Sequence, residues 1–180
     1  MGKLSDVVQA FLDGDDWKYE KFEDKDIFRA GVGAKNASYS LFYDVKESAE
    51  QLIVYTITPQ HVPEQYRHEV SEFLTRANYG IIIGNFEMDF DDGEVRYKTS
   101  VDVEGGELTT GMVRQLTLYS VSTTDRYFPG IMAICYGGKS AQESVLDVEN
   151  PLPVTGDDLD DDDDDDDDDG DDSDSDELTL

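Results

Sequence analysis

Asn85-Phe86-Glu87-Met88-Asp89-Phe90-Asp91-Asp92-Gly93-Glu94-Val95-Arg96-Tyr97-Lys98-Thr99 decides the fold. Apolar and polar residues alternate on both sides of Asp92-Gly93, the pattern of two antiparallel strands joined by a tight turn. A two-residue type I′ loop predicts pairs whose numbers sum to 185. Phe90 then faces Val95, Met88 faces Tyr97 and Phe86 faces Thr99, while Asp89 faces Arg96 and Glu87 faces Lys98. One face of the hairpin becomes apolar or neutral, and the other carries two opposite-charge pairs worth roughly 0.2–1 kcal/mol each. A slip of one residue would destroy both features.

Upstream of the hairpin, Pro63 suits the first turn of a helix. Tyr66, Val70, Phe73, Leu74 and Ala77 give that helix an apolar face, and Asn78 and Gly80 end it. Before it, Gln51–Thr58 is rich in β-formers on both faces and reads as a central strand. Ser38–Glu47 alternates, and the polar Lys46–Glu50 joins the two as a hairpin loop. Trp17–Phe22 and Ile27–Val32 read as one interrupted strand or two short ones around Glu23–Asp26. Lys3–Leu12 places Leu4, Val7, Val8 and Phe11 on one helical stripe. Gly31-Val32-Gly33 lacks the third glycine of a dinucleotide loop and reads as a bend or bulge.

Downstream, Thr109 can cap a helix bearing Met112, Val113, Leu116 and Tyr119, which Asp125–Tyr127 should break. Pro129 is expected to open a separate short helix, Ile131–Cys135, closed by Gly137-Gly138. Ser140 and Glu143 have capping-box spacing before a last helix with Val145, Leu146 and Val148. The resulting order, α-β-β-β-α-β-β-α-(α), is an α+β domain with an antiparallel sheet and helices packed on it. Residues 1–152 are expected to form this domain, and residues 153–180 a disordered Asp-rich tail.

Of the 43 acidic residues, 17 lie in residues 155–180, which hold no Lys or Arg, so 26 face all 14 basic residues in the rest. Ten consecutive aspartates, Asp160–Asp169, leave that segment little apolar surface to offset its ordering entropy. A body at −12 and a tail at −17 disfavour phosphate backbones and anionic membranes and favour cations and basic protein surfaces. No nucleic acid or membrane partner is therefore expected. The single Cys135 excludes an intrachain disulfide and a thiolate zinc cage. Within Ile131–Cys135 it reads as a small buried hydrophobe. No secretory core opens the chain, and Asp6 stands where N-myristoylation wants Ser or Thr. The compartment expected is the cytoplasm, which leaves Asn36-Ala37-Ser38 a chance glycosylation sequon.

Catalytic patterns are missing. His61 and His68 are seven residues apart without the further ligands a metal site wants. Asp13–Asp16 and Asp89–Gly93 fail the EF-hand spacing: counted from Asp89, glycine falls fifth and Ser100 stands at position twelve. Neither a Gly-x-Ser-x-Gly elbow nor a phosphate-binding loop occurs. No catalytic, cofactor-binding or metal residue is assigned, no cofactor is expected, and the chain is not read as an enzyme.

The body resembles the YbjN family, described as bacterial sensory transduction regulators. The residues that carry the likeness begin with Trp17-Lys18-Tyr19, Leu52–Tyr55 with Pro59, and Val62-Pro63 with Arg67 and Glu69-Val70. They continue through Asn78-Tyr79, Gly84–Asp89, Asp92–Tyr97 and Tyr127-Phe128-Pro129, within about residues 4–148. The resemblance implies a fold like that of type III secretion chaperones and a non-enzymatic, chaperone-like or regulatory module that binds a protein segment or forms a homodimer. Trp17, Tyr55, Phe86, Tyr97 and Tyr127 are the candidate protein-binding residues, because aromatic side chains suit such surfaces. Two other readings stand beside this one: a polyanionic protein whose tail binds basic partners or cations, and an uncharacterised enzyme. The resemblance does not identify the protein client.

Overall fold

Leu4, Val7, Val8 and Phe11 recur at helical spacing and form α1 (Leu4–Gly14), which buries Val8, Phe11 and Leu12. The structure, a computed structural model, describes residues 3–22 and 25–150. The calls on the 153–180 tail, and on the first two residues of Glu23–Asp26, lie outside the described residues. The amides at the start of α1 have no partner within the helix. Glu47, from a distant turn, accepts from the Leu4 and Ser5 amides at 3.2 and 2.8 Å. A carboxylate thus sits at the positive end of the helix dipole.

Two short strands follow, β1 (Tyr19–Phe22) and β2 (Ile27–Gly33), then β3 (Ser38–Lys46) and β4 (Gln51–Ile57). A 3₁₀ turn, Glu47–Ala49, closes the β3–β4 hairpin, with Glu50 at φ 51°. Pro63 precedes a second 3₁₀ turn that runs into α2 (Arg67–Gly80), whose buried face is Val70, Phe73, Leu74 and Ala77. Then come β5 (Asn85–Met88), β6 (Val95–Asp102), α3 (Thr110–Gly137) and α4 (Ala141–Glu149). The six strands form one antiparallel sheet in the order β1-β2-β3-β4-β6-β5, and β4 is central as its composition predicts.

The β5–β6 hairpin forms, but its pairs sum to 183: Phe86 faces Tyr97, Glu87 faces Arg96 and Met88 faces Val95. The connection is longer than two residues. The Asp89 amide donates to the Glu94 carbonyl at 2.9 Å and the Gly93 amide to the Asp89 carbonyl at 2.8 Å. Tertiary contacts hold this wider loop. Arg67 donates to the Phe90 and Asp91 carbonyls at 2.7 and 3.3 Å, and the Val62 amide donates to the Gly93 carbonyl at 2.8 Å. Gly93 has φ 84°, and a Cβ there would lie 2.2 Å from the Val62 carbonyl oxygen. A shift of two residues keeps the paired side chains on their expected faces, so the apolar and charged faces survive the changed partners, while Phe90, expected opposite Val95, lies exposed in the loop.

Two further expectations change. Gly31 and Gly33 pair in regular register with Ser40 and Ser38, so the segment is plain strand rather than a bend or bulge. The expected break at Asp125–Tyr127 and the separate helix opened by Pro129 are absent, and α3 runs unbroken for 28 residues with Pro129 inside it. Proline cannot donate to the carbonyl four residues back, which belongs to Asp125. Asn36, in the β2–β3 turn, supplies the missing donor: its Nδ2 donates to the Asp125 carbonyl at 2.7 Å. The Asp125 carboxylate in turn accepts from the Asn36 amide at 2.8 Å and from the Tyr39 hydroxyl at 3.0 Å. Both expected caps are present, Thr109 on Met112 and Ser140 on Glu143, and Glu69 of α2 accepts from the Ala141 amide at 2.6 Å.

The core has two lobes. One gathers Val8, Phe11, Phe28, Leu41, Tyr43 and Val54 beneath α1 and the start of α3. The other gathers Val70, Phe73, Phe86, Tyr97, Tyr127 and Ile131 beneath α2, α4 and the end of α3. Between them runs a seam of buried hydroxyls on β3, β4, β6 and α3. Tyr43 bonds Thr117 at 3.1 Å, Thr56 bonds Ser120, and Thr117 and Thr124 donate to carbonyls one turn back in α3. Burial pushes the Tyr43 hydroxyl up to about 12, against the hydrogen bond with Thr117 that lowers it. Cys135 is buried and free, as expected of a small hydrophobe.

Candidate functional site

Strand alternation decides which side chains meet the helices. Tyr39, Leu41, Tyr43 and Val45 of β3 are buried toward α1 and α3, as are Leu52, Val54 and Thr56 of β4. The intervening residues point to the opposite face, where no described element packs. That face carries Phe22, Ile27, Phe42, Ile53, Tyr55 and Ile57, all partly exposed. The pairing registers align them in cross-strand rows. One row runs Lys98, Tyr55, Phe42, Arg29, Glu20, and the next runs Ser100, Ile53, Asp44, Ile27, Phe22. An apolar band therefore crosses the middle of the open sheet.

Most charged groups on this face are engaged with one another or with its rings. The Arg96 guanidinium lies 4.5 Å from the Tyr55 ring centroid, and Arg29 lies 5.9 Å from that of Phe42. Glu87 receives Arg96 at 2.8 Å and also Lys98. Burial works against the Glu87 charge, but the Lys98 and Arg96 hydrogen bonds win and hold its carboxyl below the usual glutamate range. Lys46 meets Asp44 at 2.9 Å, which holds the Lys46 ammonium above its ordinary value. The other Asp44 oxygen is buried without a described partner. At the β5 edge, Tyr79 and Ile82 are 97% and 93% exposed, far beyond the other large apolar side chains.

The five aromatic candidates divide. Tyr55 alone lies in the apolar band of the open face. Phe86, Tyr97 and Tyr127 meet in the core, with Phe86 4.8 Å from Tyr97 and 5.6 Å from Tyr127 between ring centroids. Trp17 is half-buried against Phe11 at 6.3 Å. Phe42, Ile53 and Ile57 belong with Tyr55, and the alternation of β3 and β4 is the signal that points to them. The two histidines remain apart from any cluster: His61 contacts the Asp92 carbonyl at 3.1 Å, and His68 stacks near Phe90. Among the described residues, no three His, Cys, Asp or Glu side chains come together as a metal cage would require. Among the same residues, no helix is long and apolar enough to cross a membrane.

The domain is an α+β fold whose antiparallel sheet is covered by helices on one face and left open on the other. The chain belongs to the YbjN family, described as "Putative bacterial sensory transduction regulator", which matches residues 4–132. No curated protein matches it. Among solved structures it is similar to the crystal structure of YbjN from E. coli, described as "a putative transcription regulator". That likeness has 12% identity and a TM-score of 0.49, covering 66% of this chain and 86% of that one. It is also similar to a chain of the HopA1–SchA chaperone–effector complex, at 14% identity and a TM-score of 0.43, covering 66% and 88%.

Proposed function

We propose that this protein is a non-enzymatic interaction module of the regulatory or chaperone-like kind, working in the cytoplasm, and that its open sheet face binds an apolar segment of a partner protein. One observation carries the reading: the band of Phe42, Ile53, Tyr55 and Ile57, uncovered by any described element, is bordered by Arg96 and Lys98 paired with Glu87 and by Lys46 paired with Asp44. Such a surface gains from burying apolar area and has little net charge to offer a nucleic acid or a membrane. An extended or helical segment can lay alternate side chains on it.

The test is affinity capture with the full chain from its own cytoplasm, comparing wild type with Tyr55→Asp, Ile53→Asp and Phe86→Ala. The first two should keep a cooperative melt and lose the captured partner. Phe86→Ala, in the core, should cost about 3–5 kcal/mol and lose the fold itself. Light scattering distinguishes a second copy from another protein as occupant. Capture that survives Tyr55→Asp and Ile53→Asp but disappears at moderate salt would sink this reading in favour of the acidic segment.

A further inference from the structure

A cavity of about 820 Å³ opens between α3, α4 and the β2–β3 turn. It shares no residue with the band on the open sheet face. Its lining combines the apolar Pro129, Ala133 and Val148 with the cations Lys35, Arg126 and Lys139 and the carboxylates Asp125 and Asp147. Three cations around one cavity stand out in a chain with only 14 Lys and Arg against 43 acidic residues. Lys139 is paired with Asp147. Neither Lys35 nor Arg126 has a carboxylate at ion-pair distance among the described residues, and the nearby Asp125 carboxylate is taken up by Asn36 and Tyr39. Ser144, 1% exposed, also lines the cavity, and its hydroxyl has no partner there.

The described chain ends beside this cavity. Arg126 reaches the carbonyl of Val148 at 3.4 Å, two residues before Asn150. Pro151-Leu152-Pro153-Val154 comes next, then Asp157-Asp158-Leu159-Asp160. Six residues separate Asn150 from Asp157, seven steps along the chain with a reach of up to about 25 Å. The order of chemistry matches: an apolar stretch for the apolar lining, then carboxylates for Arg126 and Lys35.

We propose that residues 151–160 of this chain dock in the cavity, with Asp157, Asp158 and Asp160 received by Arg126 and Lys35. The tether decides the occupant. A short link holds the segment at an effective concentration of the order of millimolar. Any free anion would have to compete with it and with the repulsion of the aspartate run.

Carbodiimide cross-linking of the full chain at high dilution, followed by peptide mass spectrometry, tests this. The reagent joins a carboxylate to an adjacent lysine amine with loss of water. The expected product is an amide within one chain between Lys35 and Asp157–Asp160, in clear excess over Lys18 and Lys98, and diminished by salt. Arg126 is exposed, so Arg126→Gln should leave the fold intact while lowering the Lys35 yield about two- to fivefold. That factor corresponds to ~0.5–1 kcal/mol of partly exposed ion pairing at 1.4 kcal/mol per tenfold. Even yields over all lysines, joining only between chains, or an unchanged yield in Arg126→Gln would each overturn the proposal.

Discussion

Replacing Asn36 by Ala should destabilise the protein because Pro129 lies 93 positions further along the chain. The Asp125 carbonyl lacks its usual donor four residues on, since residue 129 is proline, and the Asn36 side chain supplies one at 2.7 Å with a second contact to the carboxylate at 3.2 Å. The Asn36 backbone bond to Asp125 survives the substitution. The loss is one well-placed, partly solvated hydrogen bond and one weaker contact, about 1 kcal/mol. With a urea m-value of about 2 kcal/mol/M, the unfolding midpoint falls by about 0.5 M. Pro129→Ala restores an N–H that can reach the same carbonyl, so Asn36→Ala should cost less in that background. The double-mutant cycle should give a coupling of about 0.5–1 kcal/mol, although the two residues are distant in sequence. Additive effects within about 0.3 kcal/mol would refute the claim that Asn36 acts as the donor proline removes.

Two further outcomes follow from the same geometry. Gly93 and Gly105 both have positive φ, at 84° and 72°, but only a Cβ at Gly93 meets backbone, 2.2 Å from the Val62 carbonyl oxygen. Gly105→Ala should cost about 1–2 kcal/mol for the left-handed conformation alone, and Gly93→Ala at least about 1 kcal/mol more; equal costs by urea unfolding would show that the loop does not rest on Val62. The Glu87 carboxyl is held below its unfolded value, so its contribution is present above about pH 4.3 and fades as the pH falls through the lowered folded value. Wild type should therefore lose more stability than Glu87→Gln between about pH 5 and pH 2, and parallel urea profiles over that window would contradict the ion-pair assignment.

The alternation around Asp92-Gly93 fixes faces because its period is two, and both faces of the hairpin are as expected. It cannot fix partners to better than two residues. Sums of 183 and 185 put the same side chains on the same sides, and Glu87 meets both Arg96 and Lys98, so charge pairing accepts either register. What selects the wider loop is Arg67 and Val62, which arrive from another segment. The long α3 was hidden for the same kind of reason. Pro129 is a valid local stop signal, and its compensation, Asn36, binds a carbonyl 89 residues later in the chain. Glu47 on α1 and Glu69 on α4 are likewise caps that local sequence does not contain. For the candidate site, alternation shows that β3 and β4 have two kinds of face but not which face a helix will cover. Aromatic character alone selected Phe86, Tyr97 and Tyr127, which the helices bury, together with Tyr55, which they leave open.

Charge distribution separates the two proposed surfaces. On the open sheet face, the four cations Arg29, Lys46, Arg96 and Lys98 are matched in number by Glu20, Asp44, Glu87 and Asp102, so an incoming segment meets little net charge around an apolar band. Binding there should depend on buried area and change little with ionic strength. In the docking proposed at the α3–α4 cavity, Lys35 and Arg126 receive Asp157, Asp158 and Asp160, and attraction there weakens as the Debye length shortens from about 10 Å at 0.1 M salt to about 3 Å at 1 M. Salt thus discriminates between them in one preparation: cross-links to Lys35 should fade while capture of a partner on the Tyr55 band persists. If both fell together, the partner would be held by charge, and the acidic segment rather than the sheet would be the binding element.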